Sequence, residues 1–446
     1  MDRIAHGCAD ATLSLYVSLV PPGYLEELRR GYAKAGGWGL FTPSLTVWLM
    51  IRSRLLGGSS LEHGWQECSL EEARFLSPKS VRASRDSLSS HPTGFARARK
   101  AIPLPLVEAA ADHLFGECRS SLEAEPLPSF LLDGSTLTPA VTSSLLEAYP
   151  AAPTQFGTSR WPKIRIVVAH DLRTGLAVRP EWGPQFGEHA VGEQELAHRL
   201  RARLPKECHI LADRNFGVFQ MVWLFRKNLL FRLTAVRAGA LLGKGKSLER
   251  DWDERVSWRP SQVERKAHPE YPEDAAVEGR VIVRHLMVQG KKKPVQVCYF
   301  TDDLGSSAQE IVQRYPLRWN IETDLRSLKK VVGLEVLRAK TPDVVAKEII
   351  LAVAAFNIAR TLMGLAAAQA GIDPRRIGFT RAMGTLEIYA KRGLKGPEDL
   401  ERMLKDMAAL PLPIRTGRKA PPRTVWKKSA TYPAKRQQQN GESTKK

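Results

Sequence analysis

The sequence predicts a mixed α/β core that carries a β-rich insertion and is flanked on both sides by helical regions. Three observations predict this fold class. Helix starts and amphipathic spacing fill the chain to about residue 125. From residue 128, short β-type runs alternate with helical runs, which is the order expected of an α/β core. A stretch rich in β-type runs then interrupts the core before a long apolar helix.

These changes of pattern divide the 446 residues into five predicted segments, enough for two or three cores. They are a helical region at 1–125, the first part of the core at 126–236, the β-rich insertion at 237–303, the second part of the core at 304–375, and a helical region with a basic tail at 376–446.

The formal net charge of +20 indicates a polyanionic partner, nucleic acid before a membrane surface. Residues 415–446 carry ten Lys or Arg against one acid, which predicts a DNA-binding tail or a solubilising end. The segment "TGFARARKAIPLP" adds Arg97, Arg99 and Lys100. We expect these three bases in a DNA-contacting arm of a helical DNA-binding region; a solvated basic loop is the alternative.

Several other classes of protein are disfavoured. The five scattered cysteines form no CxxC pair, so we expect neither a disulfide framework nor a structural zinc site. Asn357 and Arg360 interrupt the apolar stretch "EIILAVAAFNIARTLMGLAAAQAG", which predicts a buried helix and not a membrane span. "LLGKGKS" ends like a phosphate-binding loop, but Ala240, just before it, occupies the position of that loop's first glycine, so no nucleotide is expected.

No basic segment precedes the first apolar run, so we expect no signal peptide. Together with the basic charge, these features predict a cytoplasmic, nucleoid-associated protein.

Three acids occupy comparable places in the predicted core. Asp133 ends the β-type run of "PSFLLDGSTL", Asp213 ends that of "ECHILADRNF", and Glu322 lies in the helical stretch "YPLRWNIETDLRSLKK". A single acid after a strand is more often a turn residue. Three carboxylates from three elements can instead converge at the carboxyl edge of a sheet, where hard oxygen ligands suit Mg²⁺ or Mn²⁺. Two such ions about 4 Å apart support phosphodiester chemistry.

The helical stretch places Tyr315, Arg318, Glu322 and Lys329 within a wedge of about 60° on an ideal α-helix. A neighbouring apolar stripe predicts the buried face. One carboxylate thus stands among bases and a phenol beside a core-facing stripe. A solvated face with coincidental spacing is the alternative.

These four residues match a Tyr-x2-Arg-x3-Glu-x6-Lys signature at every spacing. The chain thereby resembles the DDE transposases of the insertion-sequence-four family, a cut-and-paste group that carries this YREK signature. "LLDGSTL" and "ILADRNF" resemble the family's two aspartate strands, with Ser135 in place of Thr and Asn215 in place of Gly. "TGFARARKAIPLP" resembles its basic segment, and "VSWRP" a strand of its insertion. The resemblance implies an RNase H-like catalytic core.

The resemblance also implies the roles of the site residues. Asp133, Asp213 and Glu322 would bind two Mg²⁺ ions, for which Mn²⁺ can substitute. The residues that would hold phosphates beside the cleavage site are Tyr315, Arg318 and Lys329. The expected partners are transposon-end inverted repeats and target DNA, bound by a homodimer, with cleavage and strand transfer through a hairpin intermediate.

Hairpin-forming members of the family flip a base onto a tryptophan of the insertion. This implies Trp258 as the stacking residue, with Trp252 as the second candidate; a core position for both is the alternative.

Three other functions stay open at this stage. One is a metal-dependent nuclease that cleaves without strand transfer. Another is a non-catalytic DNA-binding descendant, against which the intact acid triad argues. A tyrosine recombinase would use Tyr315 as a covalent nucleophile, but such enzymes need several basic partners and no acid triad.

Overall fold

The computed structural model describes residues 11–32, 39–56, 61–66, 68–84, 92–123, 125–155, 157–243, 245–287, 293–392 and 397–413. The predicted basic tail, from residue 415 onward, lies outside the described residues.

A helical region precedes the sheet, as the sequence predicts. Its helices are α1 (Ala11–Leu19), α2 (Pro22–Arg30), α3 (Pro43–Leu55), α4 (Leu61–Gln66), α5 (Leu70–Leu76), α6 (Val81–Ser84), α7 (Thr93–Ala101) and α8 (Leu104–Ser121). Local sequence explains several of the starts. The Thr42 hydroxyl accepts the Leu45 N–H at the start of α3, and Ser69 with Glu72 forms a capping box on α5.

The core that follows alternates strands and helices. Its elements are β1 (Ser129–Leu137), α9 (Ser143–Ala148), β2 (Ala151–Thr154), β3 (Gly157–Pro162), β4 (Ile164–Asp171), β5 (Glu181–Pro184), α10 (Glu193–Leu200), β6 (His209–Ala212), α11 (Phe219–Phe225) and β7 (Leu229–Leu233). A short 3-10 turn, Arg201–Arg203, follows α10.

The order of these strands identifies the architecture. In the main sheet β1 pairs antiparallel with β4, and β4 with β5, while β6 lies parallel to β1 and β7 parallel to β6. An antiparallel meander followed by two parallel strands, in the spatial order β5-β4-β1-β6-β7, is the arrangement of an RNase H-like core. The predicted fold class is therefore confirmed.

The strand β1 runs further than the sequence analysis predicts. Asp133 was expected at its end, yet β1 continues to Leu137 because Asp133 and the residues after it pair with β4. The parallel pairing with β6 stops at Leu132, opposite Ala212. Asp133 therefore lies in mid-strand, at the level where the neighbouring strand β6 ends.

The stretch predicted as a β-rich insertion extends the same sheet. It forms α12 (Ala235–Leu242), β8 (Trp252–Trp258), α13 (Gln262–Ala267), β9 (Val277–Leu286) and β10 (Val295–Thr301). Because β10 pairs antiparallel with β7, the three added strands continue the core sheet edge to edge in the order β10-β9-β8. The segment boundaries themselves stay predictions.

The rest of the described chain is helical. Its elements are α14 (Ala308–Arg314), a 3-10 turn (Tyr315–Trp319), α15 (Asn320–Arg326), a π-helical turn (Ser327–Val331), α16 (Pro342–Ala370), a 3-10 turn (Pro374–Arg376), α17 (Phe379–Arg392) and α18 (Pro397–Ala408). The stretch read as one regular helix thus changes its winding twice, first at the turn that contains Pro316 and again before Lys329.

The helix α16 forms the centre of the molecule and packs against α3, α8 and α18. It is long and apolar enough to cross a membrane, but 94% of its most apolar window is buried inside the protein. The two polar residues that interrupt it have partners. The Asn357 amide exchanges two hydrogen bonds of 2.8 Å with the backbone of Ala177, and Arg360 pairs with Asp324.

Candidate active site

Two of the predicted acids lie side by side on neighbouring parallel strands. Leu132 of β1 pairs with Ala212 of β6, so the next residues, Asp133 and Asp213, stand in register. Adjacent strands are about 4.8 Å apart, and side chains at matched positions point to the same face. The pairing of β1 with β6 therefore brings these two residues close together, with Asp213 at the first position after β6.

The third acid, Glu322, is linked to Asp133 by Arg318. One guanidinium nitrogen of Arg318 lies 3.8 Å from the Asp133 carboxylate, and another donates to Glu322 at 3.2 Å. Glu322 lies in α15, which continues directly from the 3-10 turn that carries Arg318. The buried Arg318 thus links two of the three acids, Asp133 and Glu322.

Lys329 lies against the strand that carries Asp133. Its ammonium donates to the Ser135 hydroxyl at 3.1 Å and to the Thr136 carbonyl at 3.2 Å. Burial is the largest cause of its lowered pKa. The π-helical turn directs Lys329 toward β1 despite the break in helical winding. Ser135, which stands where the resembling family has Thr, supplies one of its two partners.

Tyr315 is buried beside the site. Its ring packs on Tyr299 with centroids 4.7 Å apart, and its hydroxyl has no hydrogen-bond partner within the described part of the chain. Burial raises the pKa of the phenol well above its usual value, and the Asp213 charge raises it further. A phenol that resists ionisation is a hydrogen-bond donor and a poor covalent nucleophile, which argues against the tyrosine-recombinase alternative.

Asp133 is a partly buried carboxylate whose pKa is shifted upward. Burial raises the pKa of Asp133 to about 6. Arg318 and the Gly134 N–H act to lower it, while Asp213 and Glu193 raise it. Asp133 is thus a desolvated carboxylate beside two other carboxylates, and the positive charge around it does not fully offset the negative charge.

The donor chemistry therefore fits a divalent ion with hard oxygen ligands. The acids do not yet form one coordination shell. In the ranges that the structure describes, no three His, Cys, Asp or Glu side chains are close enough to hold an ion. Arg318 occupies the position between Asp133 and Glu322.

A fourth acid, Glu193, belongs to the same group and was missed by the sequence analysis. It begins α10, and its carboxylate accepts a hydrogen bond from the Asn215 side chain. Gly134, next to Asp133, was the available signal, because a small residue at that position leaves room for a neighbouring side chain.

The predicted DNA-contacting arm is only partly a surface. Arg97 and Lys100 on α7 are exposed, whereas Arg99 is buried and pairs with Glu348 of α16 at 2.7 Å. This corrects the prediction for Arg99, whose positive charge is already neutralised inside the protein. Its partner lies 249 residues along the chain, out of reach of a local pattern.

The prediction for Trp258 is also corrected. Trp258 is only 6% exposed and packs edge-on against Phe300 with centroids 4.9 Å apart, so it is a core residue of the extended sheet. The indole N–H of Trp252, the second candidate, donates to the Ser247 carbonyl. Trp319 is the tryptophan beside the site that faces solvent, at 56% exposure, and Arg318 lies 5.3 Å from its ring centroid.

A buried ion cluster lies on the opposite face of α15 from Glu322. Asp324, two residues after Glu322, is fully buried and accepts hydrogen bonds from Arg360 and Arg375. Burial would raise the pKa of Asp324, but the two guanidinium groups lower it. A cavity of about 620 Å³ opens on this side, and none of the three predicted catalytic acids lines it.

Comparisons with known proteins agree with the geometry. The model of the family described as "Transposase DDE domain" matches residues 130–358, just over half of the chain and the span that contains all three acids. No curated protein matches significantly. One similar solved structure is a cryo-EM structure of piggyBac transposase synaptic complex with hairpin DNA. It is 12% identical with a TM-score of 0.46, covering 94% of this chain and 88% of that chain, a likeness too weak to carry a conclusion about the site.

Proposed function

The chain belongs to the transposase DDE domain family, and on that premise we propose that it is an active insertion-sequence transposase of the YREK type. It would bind the terminal inverted repeats of its element, cut them, and join them to target DNA. The observation that carries this proposal is the contact of Arg318 with both Asp133 and Glu322, beside an Asp213 held in strand register with Asp133.

The acids have separate tasks in this proposal. Asp133 and Asp213 would hold divalent ions, Mg²⁺ or Mn²⁺, and Glu322 would complete the site. Two ions bound there would supply Lewis-acid stabilisation of the attacking and leaving oxygens. The pairing of β1 with β6 holds the backbones of the two aspartates near each other, so Arg318 and Glu322, which is exposed on α15, would adjust most on loading.

The bases would hold the DNA. Lys329 is fixed against β1, so its ammonium is available to a phosphate close to Asp133. The buried Tyr315 hydroxyl is a donor without a partner in the described chain and suits a phosphate oxygen. When cations fill the carboxylate site, Arg318 becomes able to turn from the acids to a phosphate.

A hairpin route requires an unpaired base to be held outside the duplex. Trp258 does not suit this task because it is buried, but Trp319 exposes an aromatic face next to Arg318. Base stacking on an exposed aromatic side chain is worth about 1–3 kcal/mol. Trp319 is therefore the stacking residue in this proposal.

Binding to DNA draws on the basic surface. Arg97 and Lys100 are exposed on α7, and the formal net charge of the chain is +20. We expect affinity to fall steeply with salt because each neutralised phosphate releases counterions. Joining two transposon ends calls for a homodimer on DNA, and the nucleoid is the expected location.

The test uses DNA from the borders of the gene. Short terminal inverted repeats flanked by a direct duplication would identify the substrate. Duplexes that end in these repeats are incubated with the protein and Mg²⁺, and nicked, hairpin and joined products are separated on denaturing gels. The wild-type protein should form all three, and Asp133→Ala should form none while still binding the repeats.

A precut end separates the remaining alternative. A transposase joins a precut end to a target plasmid, whereas a nuclease without strand transfer only degrades or nicks it. Cleavage by Asp133→Ala, or wild-type nicking with no joining of precut ends, would contradict the proposal.

A further inference from the structure

Glu193 is held at the start of α10 by contacts that lead to the catalytic loop. Its carboxylate accepts a hydrogen bond from the Asn215 side chain. The next residue, Gln194, donates from its amide to the Asn215 carbonyl at 2.8 Å. The first two residues of the helix therefore bind one loop residue from two directions.

Asn215 in turn holds Asp213. Its backbone N–H donates to the Asp213 carboxylate at 2.8 Å. The following residue, Phe216, is fully buried and its N–H binds the Asp213 carbonyl at 3.1 Å, which anchors the far side of the turn. The contacts run from Glu193 through Asn215 to Asp213, so a movement of Glu193 shifts the loop that carries this aspartate.

Glu193 also borders the other aspartate. A β-carbon built on Gly134 would overlap the carboxylate of Glu193, with the Glu193 Cγ only 3.0 Å away. The backbone at Gly134 has no positive φ, so the glycine serves to make space and not to permit an unusual conformation. Its N–H donates to the Asp133 carboxylate at 2.9 Å. Glu193 thus lies against the backbone of β1 at Gly134, the residue after Asp133.

Glu193 adds a fourth carboxylate to the group of Asp133, Asp213 and Glu322, where few positive charges are present. Among the described residues, the ion pairs of the site are those of Arg318 with Asp133 and Glu322, and none includes Glu193 or Asp213. Glu193 is partly exposed, so solvent moderates its repulsion but does not neutralise it. A close group of carboxylates with one shared arginine becomes favourable when cations occupy it.

We propose that Glu193 is a positioning residue of the carboxylate site: it fills the space left by Gly134 and, through Asn215, sets Asp213 against Asp133 for cation binding. The inference rests on the proposed function and adds a fourth acid to its three. Asn215, which stands where the resembling family has Gly, is the residue that makes the link. Outer contacts of this kind typically alter metal affinity 10- to 100-fold when removed.

The test measures Mn²⁺ binding by the full-length protein without DNA, by titration calorimetry. Glu193→Ala removes both the hydrogen bond to Asn215 and the side chain that fills the space beside Gly134, and it should bind Mn²⁺ about tenfold or more weakly than the wild type. Glu195→Ala is the matched control, since Glu195 lies in the same helical turn, is exposed and pairs with Arg199. It should bind Mn²⁺ as the wild type does, and thermal unfolding should show both variants folded.

A second variant separates position from charge. Gly134→Ala keeps every carboxylate but displaces that of Glu193, so Mn²⁺ affinity should fall by a similar factor. The combined Glu193→Ala, Gly134→Ala protein should bind no more weakly than either single variant, because both act on one contact. In nicking assays, Glu193→Ala should raise the Mn²⁺ concentration needed for half-maximal rate more than it lowers the saturated rate.

The outcomes distinguish this inference from the function on which it rests. If the wild type binds Mn²⁺ and cuts DNA while Glu193→Ala does both equally well at every Mn²⁺ concentration, Glu193 has no positioning role and the proposed function stands. Additive losses in the combined variant would also overturn the role. If the wild type neither binds Mn²⁺ nor cuts, both proposals fail together.

Discussion

Glu322 and Asp324 stand two residues apart on one helix, yet they face opposite electrostatic conditions. Asp324 is fully buried between Arg360 and Arg375, and its pKa is lowered. Glu322 shares one arginine with Asp133, whose pKa is raised to about 6. We call Asp324, Arg360 and Arg375 the closed cluster, because its carboxylate is paired with two arginines. We call Asp133, Glu322 and Arg318 the open cluster, because its two carboxylates share one arginine.

The difference shows that burial of charge does not by itself mark a functional site. Closed clusters hold elements together, and here Asp324 ties α15 to α16 and to the turn at Arg375. Open clusters hold a charge that a ligand can offset. On this helix the closed cluster fixes the backbone that presents Glu322 to the open one.

The largest expected effect is the loss of Asp324. Asp324→Ala would leave Arg360, only 4% exposed, as an uncompensated buried charge. Breaking a buried pair in this way costs about 3–5 kcal/mol of unfolding free energy. Urea unfolding monitored by circular dichroism measures it. A loss below about 1 kcal/mol would show that the cluster is not structural.

The closed cluster should also lose stability at low pH, because the buried His170 beside it resists protonation in the folded protein. Its Nδ1 lies 3.8 Å from the Asp324 carboxylate and 3.2 Å from the Gly175 carbonyl. Burial lowers the pKa of His170 to about 4, against the attraction of Asp324 and with Arg360 and Arg375 adding to the decrease. The unfolded chain therefore binds this proton first, between about pH 6.5 and pH 4.

The stabilising contribution of neutral His170 is full above about pH 6.5 and is lost as the pH falls toward 4, by about 2–3 kcal/mol. His170→Gln should show a smaller fall in unfolding free energy than the wild type between pH 7 and pH 4.5. Equal slopes for the two proteins would show that His170 titrates normally in the fold.

Removing the negative charge of Asp133 from the open cluster should raise the free energy of unfolding, whereas removing that of Asp324 from the closed cluster should lower it. Because the pKa of Asp133 is raised, its ionisation destabilises the fold above about pH 6 and has no such effect below about pH 4. Without divalent ions at pH 7.5, Asp133→Asn should raise the unfolding free energy by about 1–2 kcal/mol, allowing for partial exposure.

Added Mn²⁺ should reverse that order, since it stabilises the wild type and not Asp133→Asn. Thermal melts with and without chelator measure both effects. A lower melting temperature for Asp133→Asn in chelator would place Asp133 among the compensated charges.

The smallest effect concerns charges on the surface of α7. Lys100→Gln should leave stability within about 0.5 kcal/mol of the wild type. It should reduce the slope of log affinity against log salt by about one, as expected for a single phosphate contact. Filter binding to the terminal repeats over a range of salt measures this. An unchanged slope would place Lys100 away from the DNA.

Much of the fold follows from local patterns in the sequence. The order of β-type and helical runs predicts the α/β core, and Asn357 with Arg360 predicts that α16 is buried in protein. The continuation of β1 past Asp133 could not be read locally, because it depends on pairing with β4. The breaks in winding around α15 were likewise hidden, since the four signature residues keep their spacing whatever the winding.

The catalytic roles of the three acids stay predictions, but their placement depends on both local and distant features. The register of β1 and β6 places Asp133 near Asp213, although Asp133 lies within its strand and not at its end. Arg99 and Trp258 resemble surface residues in sequence, but Glu348 and Phe300 bury them. Glu193 is distinguished only by its contacts with Asn215 and Gly134, which lie elsewhere in the chain.

The central claim is that Asp133, Asp213 and Glu322 form one divalent-ion site. Crystals soaked in Mn²⁺ test it most directly, because anomalous scattering locates the ion independently of any activity. The account predicts an anomalous peak about 2 Å from carboxylate oxygens of Asp133 and Asp213, as for other small divalent ions, with Glu322 turned toward it and Arg318 displaced. A peak elsewhere, or none at saturating Mn²⁺ while Arg318 still bridges Asp133 and Glu322, would contradict it.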